Sequence, residues 1–367
     1  MFNIFEKLKI DDYYYFRFFN KDVKIFKIFD IFKGIKHINN QLKLDTSRII
    51  SVSRGNLFFW KNHERFTQKE KMWYISQQFY ERLGYFPDLV NPKTFNEKLN
   101  WMKLHYDNPN ETRCIDKYEF KNYIKEKLGE GYTTKLIGVW DSVEEINFDA
   151  LPNQFVLKTN WGGGGKTGVY FVIDKSNDDI DKIKYLFNDW IQPWNNVYYY
   201  NLSRGYKDIK PKILAEELLP IYLCEKSYEY NFHCFNGNIK YIFIKQHHPN
   251  FEYHRITTIV DENFVKLPFH AIKIPNSVLN KKTENFDKVV QIAKKLAQEN
   301  FPYVRIDFIV NRDKIYIGEF TFTSAGGYNK YIPSDWDAKI GEWLDLTKLN
   351  KEYLTDNEPQ TLKVVGG

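Results

Sequence analysis

Apolar positions along this chain follow two rhythms. Between Lys71 and His105 they recur at helical spacing: Met72, Ile75, Phe79 and Leu83 form one stripe, Gly84 and Pro87 break it, and Asn91-Pro92-Lys93-Thr94 starts another. Thr94 with Glu97 makes a capping box that opens a helix through Leu99 and Met102. Ile115-Asp116-Lys117 begins a further helical stretch through Tyr123 and Leu128, which stops at Gly129 or Gly131. The spacing also predicts helices from Asp178 to Asp189, capped by Ser176 or Asn177, and from Phe286 to Glu299. Near the N-terminus Ile25, Ile28, Phe29, Phe32 and Ile35 fall at helical spacing, with Lys24, Lys27, Lys33 and Lys36 on other faces. That pattern predicts a basic amphipathic helix within residues 1 to 40, either a brace packed on the body or a segment lying on an anionic membrane. Residues 41 to 56 read as a connector.

The second rhythm is that of strands. Short apolar or alternating runs cover Lys135 to Trp140, the stretch ending in Lys158, Val169 to Ile173, Ile213 to Ala215, Glu229 to Phe235, Ile239 to Ile244 and Thr257 to Val260. Asn236-Gly237 is a hairpin turn, and Asn311-Arg312-Asp313 joins the last two strands, Tyr303 to Val310 and Lys314 to Phe320. Helices interspersed with antiparallel strands predict an α+β fold. The aromatic stretch from Trp194 to Tyr200 has no period and no assigned role.

At 367 residues and 43% hydrophobic the chain is long enough for two or three packed lobes. No apolar run approaches the ~20 residues of a membrane-spanning helix, and the first residues lack the order of a signal peptide, so a cytoplasmic location is expected. The three cysteines, Cys114, Cys224 and Cys234, have no CxxC spacing and suggest neither a disulfide framework nor a thiolate zinc site. The net charge of +6 lies entirely in residues 1 to 70, where 14 Lys and Arg face 8 Asp and Glu. With that balance, and no RNA-binding signature around the aromatics, no nucleic acid partner is expected.

Two places carry candidate chemistry. The first is the hairpin whose tip is Gly162-Gly163-Gly164-Gly165, followed by Lys166 and preceded by Lys158. Residues without a Cβ let backbone N–H groups approach an anion, and two rim lysines suit a polyphosphate. The other reading of this run is a plain flexible tip. The second place is the last hairpin, where Asp307 and Glu319 stand at nearly equal offsets from the turn. Two carboxylates at one height call for a proton or a hard cation between them, and Arg305 shares the face of Asp307.

In this order, NPKTFNEKLNWMKL, the Asp116-Lys117 helix, FVLKTNWGGGGKTG, AEELL, EYNFHCFNG, and RIDF with GEFTFTSAGG resemble the ATP-grasp superfamily of ligases. Within it they are most similar to the TupA-like branch of teichuronopeptide and surface-polysaccharide synthesis, over about residues 71 to 345. The resemblance implies an ATP-grasp fold: two α+β lobes sandwiching ATP and Mg²⁺, here with a helical N-terminal extension over 1–70, a helical lead-in over 71–114, an N-lobe over 115–219, a C-lobe over 220–350 and a tail over 351–367. It implies that Lys117 and Lys158 contact the nucleotide, that Gly162, Gly163, Gly164, Gly165 and Lys166 cover its phosphates, and that Glu216, Glu217 and Leu219 form the adenine hinge. Glu229 is implied as the ribose acid, Asp307 and Glu319 as metal ligands, and Arg305 as the arginine beside the transferring phosphoryl group. Many members have Asn where Thr321 stands, whose hydroxyl is still a metal donor. The usual first lobe is not readable in residues 1 to 110. The implied activity is carboxylate–amine ligation through an acyl phosphate, with a kinase of the same fold or a glycan-binding subunit as alternatives. The partners would be ATP, a small-molecule or glycan carboxylate, and an amine.

Overall fold

The structure is a computed structural model that describes residues 6–10, 13–18, 21–27, 63–162, 168–219, 227–247, 256–271, 279, 281–299 and 301–355. The chain falls into two units, Met1–Ser53 with Phe66–Phe86 and Arg54–Arg65 with Pro87–Gly367.

In the first unit β1 (Glu6–Ile10), β2 (Tyr13–Phe18) and β3 (Lys21–Lys27) form an antiparallel sheet in that order. Over these residues the expected helical extension is therefore replaced by strands. The alternation Lys7-Leu8-Lys9-Ile10 and the run Tyr13-Tyr14-Tyr15-Phe16 suit a pleated strand better than a helix. Of the stripe that suggested a helix only Ile25 is described, in β3; Ile28, Phe29, Phe32, Ile35 and the connector at 41–56 lie outside the described residues. Helix α1 (Gln68–Leu83) follows the predicted stripe, with a capping box between Thr67 and Glu70 and a stop at Gly84, whose φ of 87° needs glycine.

The second unit runs α2 (Phe95–His105), α3 (Pro109–Ile115), α4 (Glu119–Leu128), β4 (Leu136–Trp140), β5 (Phe155–Thr159), β6 (Val169–Val172), α5 (Ile180–Trp190) and β7 (Ile213–Glu216). It continues with β8 (Ser227–Phe235), β9 (Asn238–His247), β10 (Ile256–Val260), β11 (His270–Ala271), α6 (Phe286–Ala297), β12 (Tyr303–Asn311), β13 (Lys314–Thr321), β14 (Tyr331–Ile332) and α7 (Trp336–Trp343). One antiparallel sheet has the order β4-β7-β5-β6 and another the order β10-β9-β8-β12-β13. The helix expected from Ile115 begins instead at Glu119, and a separate helix, α3, ends at Ile115. Asn108 caps α3 with Pro109 behind it, and the Asp116 carboxylate then accepts from the N–H of Tyr118 at 2.8 Å and stops the first helix before α4 begins.

Each sheet has its own core. Phe155, Leu157, Val172 and Ile213 pack with Ile183 and Phe187 of α5. One face of the five-stranded sheet packs Phe232, Ile306 and Phe308 with Phe286, Val289 and Ala293 of α6. The opposite face is divided: at one end Phe235, Tyr241 and Tyr303 are covered by Phe95, Leu99 and Trp101 of α2 and by Ile340 of α7. Toward the other end the same face turns polar, through His233, Asn231 and Glu229 on β8 and Arg305 and Asp307 on β12. Among the described residues no helix is long and apolar enough to cross a membrane.

Candidate active site

A cleft lies between the two sheets. The four-stranded sheet and its neighbours contribute Lys117, Lys121, Val156, Lys158, Phe171, Glu216, Glu217 and Leu219, and the hairpin of β12 and β13 contributes Ile309, Tyr316, Ile317 and Gly318. Lys158 leaves β5 toward Glu216 on the adjacent strand β7, with Nζ 2.6 Å from Oε2. The other Glu216 oxygen meets Lys121 Nζ at 2.9 Å, and the Thr134 hydroxyl donates to Oε2 at 2.7 Å. Burial alone would raise the Glu216 carboxyl; Lys158 and Lys121 outweigh it and lower the pKa to about 2. Glu216 is thus a fixed anion inside the cleft, and its side chain orders two ammonium groups there. Glu217, also in the lining, pairs with Lys135: its N–H donates to the Lys135 carbonyl at 3.0 Å and its carboxylate accepts from the Lys135 N–H at 2.9 Å.

Lys117 sits in the break between α3 and α4, and its ammonium donates to the Gly162 carbonyl at 2.5 Å. Burial pulls its pKa down, while the charge of Glu319 on the other sheet works the opposite way. Asn160, fully buried, holds this corner: its amide donates to Asp116 at 3.0 Å and to the Lys210 carbonyl at 2.8 Å. At the base of the glycine hairpin Gly162 and Gly168 stand back to back. A Cβ on Gly168 would lie 2.9 Å from the Gly162 Cα, and its φ is 85°. The base of the loop therefore requires glycine at both sides. Gly163, Gly164, Gly165 and Lys166 lie outside the described residues.

Across the cleft, Asp307 and Glu319 are direct cross-strand partners. Arg305 reaches both: Nε donates to Asp307 Oδ1 at 2.7 Å and Nη2 to Glu319 Oε1 at 3.0 Å. The Thr321 hydroxyl donates to Glu319 at 3.3 Å. Burial, only partly offset by Arg305, raises the Asp307 carboxyl to about 6, and Glu319 and Glu229 push the same way. Glu229 is itself held by Lys245 at 2.7 Å and by Asn231 at 2.8 Å, so a polar row crosses the sheet from β9 to β13. His233 ends that row in the interior. It is fully buried and stacked on Tyr241, with Nδ1 2.9 Å from the Tyr303 hydroxyl, and burial together with Arg305 and Lys245 lowers its pKa well below the usual value.

The donor set suits a nucleotide and a hard cation. An apolar slot edged by amines is what an adenine nucleotide fills, and Mg²⁺ takes one or two carboxylates plus phosphate oxygens. Among the described residues no group of three or more His, Cys, Asp or Glu is placed to hold a metal; Asp307 and Glu319 are a pair of carboxylates with the Thr321 hydroxyl beside them. Sequence reasoning missed Lys121, Thr134 and Asn160. Lys121 was within reach of it, one helical turn beyond Lys117, whereas Thr134 enters only through the fold of the loop before β4.

The chain belongs to the TupA-like ATP-grasp family, whose model matches residues 97–345, more than half of its length. A comparison with curated proteins found no match. Among solved structures it is similar to D-alanine–D-alanine ligase from Bacillus anthracis complexed with ATP, at 18% identity and a TM-score of 0.34, over 57% of this chain and 55% of that one. It is also similar to D-alanine–D-alanine ligase from Helicobacter pylori, at 16% identity and a TM-score of 0.36, over 63% of this chain and 61% of that one. A third is the ATP-grasp ligase PsnB complexed with minimal precursor, Mg and ADP, at 14% identity and a TM-score of 0.30, over 62% of this chain and 57% of that one. The chain spans little more than half the length of these proteins.

Proposed function

We propose that this chain is an ATP-dependent ligase that joins a carboxylate to an amine, working in bacterial surface-polysaccharide or capsule synthesis on the cytoplasmic side of the membrane. The observation that carries the reading is the pairing of Asp307 with Glu319, bridged by Arg305, opposite a cleft whose ammonium groups are ordered by Glu216. ATP would supply the phosphoryl group that activates the carboxylate, with Mg²⁺ screening its oxygens. Lys117 and Lys158 would hold phosphate oxygens, Asp307, Glu319 and Thr321 the cation, Glu217 to Leu219 the adenine edge, and Glu229 the ribose. The loop from Gly162 to Lys166 would cover the phosphates and keep water from the activated carboxyl group. Arg305, with the backbone at Gly326 and Gly327, would steady negative charge at the acyl carbon as the amine arrives. Full burial of His233 argues for a structural part in this scheme.

The test is product analysis with MgATP, a panel of uronic and amino acids, and an amine. Ligation yields ADP and phosphate in equal amounts with a new amide. A stable phosphorylated product with little free phosphate would point instead to a kinase, and no ADP with any pair would remove the enzymatic reading.

A further inference from the structure

The sequence pattern left the aromatic stretch from Trp194 to Tyr200 without a role. In the structure the residues just after it, Asn201 and Ser203, meet the polar face of α2 on the loop that follows Glu319. Asn96, Asn100 and Lys103 are spaced four and three residues apart along α2 and so share one face. Asn100 donates to the Gly327 carbonyl at 2.8 Å, and Asn96 to the Asn329 carbonyl at 2.7 Å. Lys103, only 4% exposed, donates to the Gly326 carbonyl at 2.5 Å, to Asn100 Oδ1 at 2.9 Å and to Asn201 Oδ1 at 2.7 Å. Asn201 passes the contact on to the Ser203 hydroxyl at 3.0 Å, which lies 2.8 Å from the Thr323 hydroxyl.

The loop needs such support. Ala325, Gly326 and Gly327 have φ of 47°, 67° and 76°, three left-handed residues in succession, one of them with a Cβ. A Cβ on Gly326 would lie 3.0 Å from Asn201 Oδ1 and one on Gly327 2.7 Å from Asn100 Nδ2, so helix and segment close on this backbone without spare room. The segment also packs on the sheet core: Tyr206 lies against the cluster that includes Phe320 and Phe322, and its phenol pKa is raised by burial and, in the same direction, by the charge of Glu319, with Arg305 opposing.

We propose that Lys103 is a positioning residue for the second-substrate side of the site, fastening the Ala325–Gly327 loop to Asn201 so that residues 198–206 form a wall beside Glu319. This rests on the ligase reading for its function but not for its geometry. The latch atoms are satisfied by one another, so Lys103 orients the wall, and substrate contact falls to the groups it holds in place, Tyr206 and the loop backbone.

The test compares the full chain with Lys103→Met and Lys103→Arg. Hydrogen exchange should quicken about tenfold in both 198–206 and 323–328 in the Met variant, with the strands at 136–140 and 155–159 unchanged. In MgATP turnover, kcat should fall about 10²-fold while KM for MgATP stays within about twofold, and the Arg variant should recover most of both effects. Faster exchange in only one segment, exchange rising equally in the two strands, a joint change in kcat and KM, or no rescue by Arg would overturn the proposal. If the wild type turns over no MgATP, the ligase reading fails and the exchange comparison alone decides the latch.

Discussion

Glu319 faces Asp307 because β13 carries a bulge at Gly318. From the turn outward the pairs are Asn311 with Lys314, Val310 with Ile315, Ile309 with Tyr316 and Phe308 with Ile317, and the next pair is Asp307 with Glu319. In an unbroken ladder Gly318 would stand opposite Asp307 and Glu319 would point to the other face, since side chains alternate. The extra residue is absorbed at Gly318, and the Ile317 N–H beside it donates to the Tyr132 carbonyl at 2.7 Å. A bulge thus places both carboxylates on one face and ties that point to the loop before β4.

The carboxylate pair is the first thing to perturb. Asp307→Asn and Glu319→Gln should each lower ADP release by about 10²-fold or more, with an unchanged far-ultraviolet dichroism spectrum. Wild-type turnover in either variant would remove the metal-binding role.

Glu216 makes stability depend on acid. Its carboxyl lies near 2 in the fold against an ordinary 4.5. The stabilisation is therefore complete above about pH 4.5 and is lost as the pH falls toward 2, on the order of 3 kcal/mol in all. Unfolding by urea at pH 6 and at pH 3 should show a larger loss for the wild type than for Glu216→Gln. Parallel losses would mean that Lys121 and Lys158 do not hold the anion as described.

Asn96 is the second buried anchor of α2. Its backbone N–H and side-chain amide donate to Asp337 at 3.0 and 2.8 Å, and its Oδ1 accepts from the Asn329 N–H at 2.9 Å. Asn96→Ala leaves buried groups unpaired and should cost about 2 to 3 kcal/mol in denaturant unfolding. A change under about 0.5 kcal/mol would place these groups in water.

Much of this site was legible in the sequence, and the exceptions have physical causes. The turn at Asn311-Arg312-Asp313 anchors the last hairpin, so the two carboxylates could be set at one height, but a bulge leaves no period to read beyond the glycine itself. The capping box at Thr94 and Glu97 announced α2 because its signals are local. The task of Asn96, Asn100 and Lys103 was hidden, because their partners lie at 201 and 326–337 and only the fold brings them near. At the N-terminus the helical reading took in Tyr13–Phe18 and Ile25, where the strand preference of the aromatic run prevails; the rest of the apolar stripe lies outside the described residues.

In the proposed function this cleft binds MgATP with Lys158 on the phosphates. A thermal-melt titration with MgATP on the wild type and on Lys158→Ala tests it most directly. At about 100 times Kd the ligand should add roughly 2.7 kcal/mol and raise the Tm of the wild type clearly, with little shift in the variant. No shift in the wild type, or the same shift in both proteins, would contradict it.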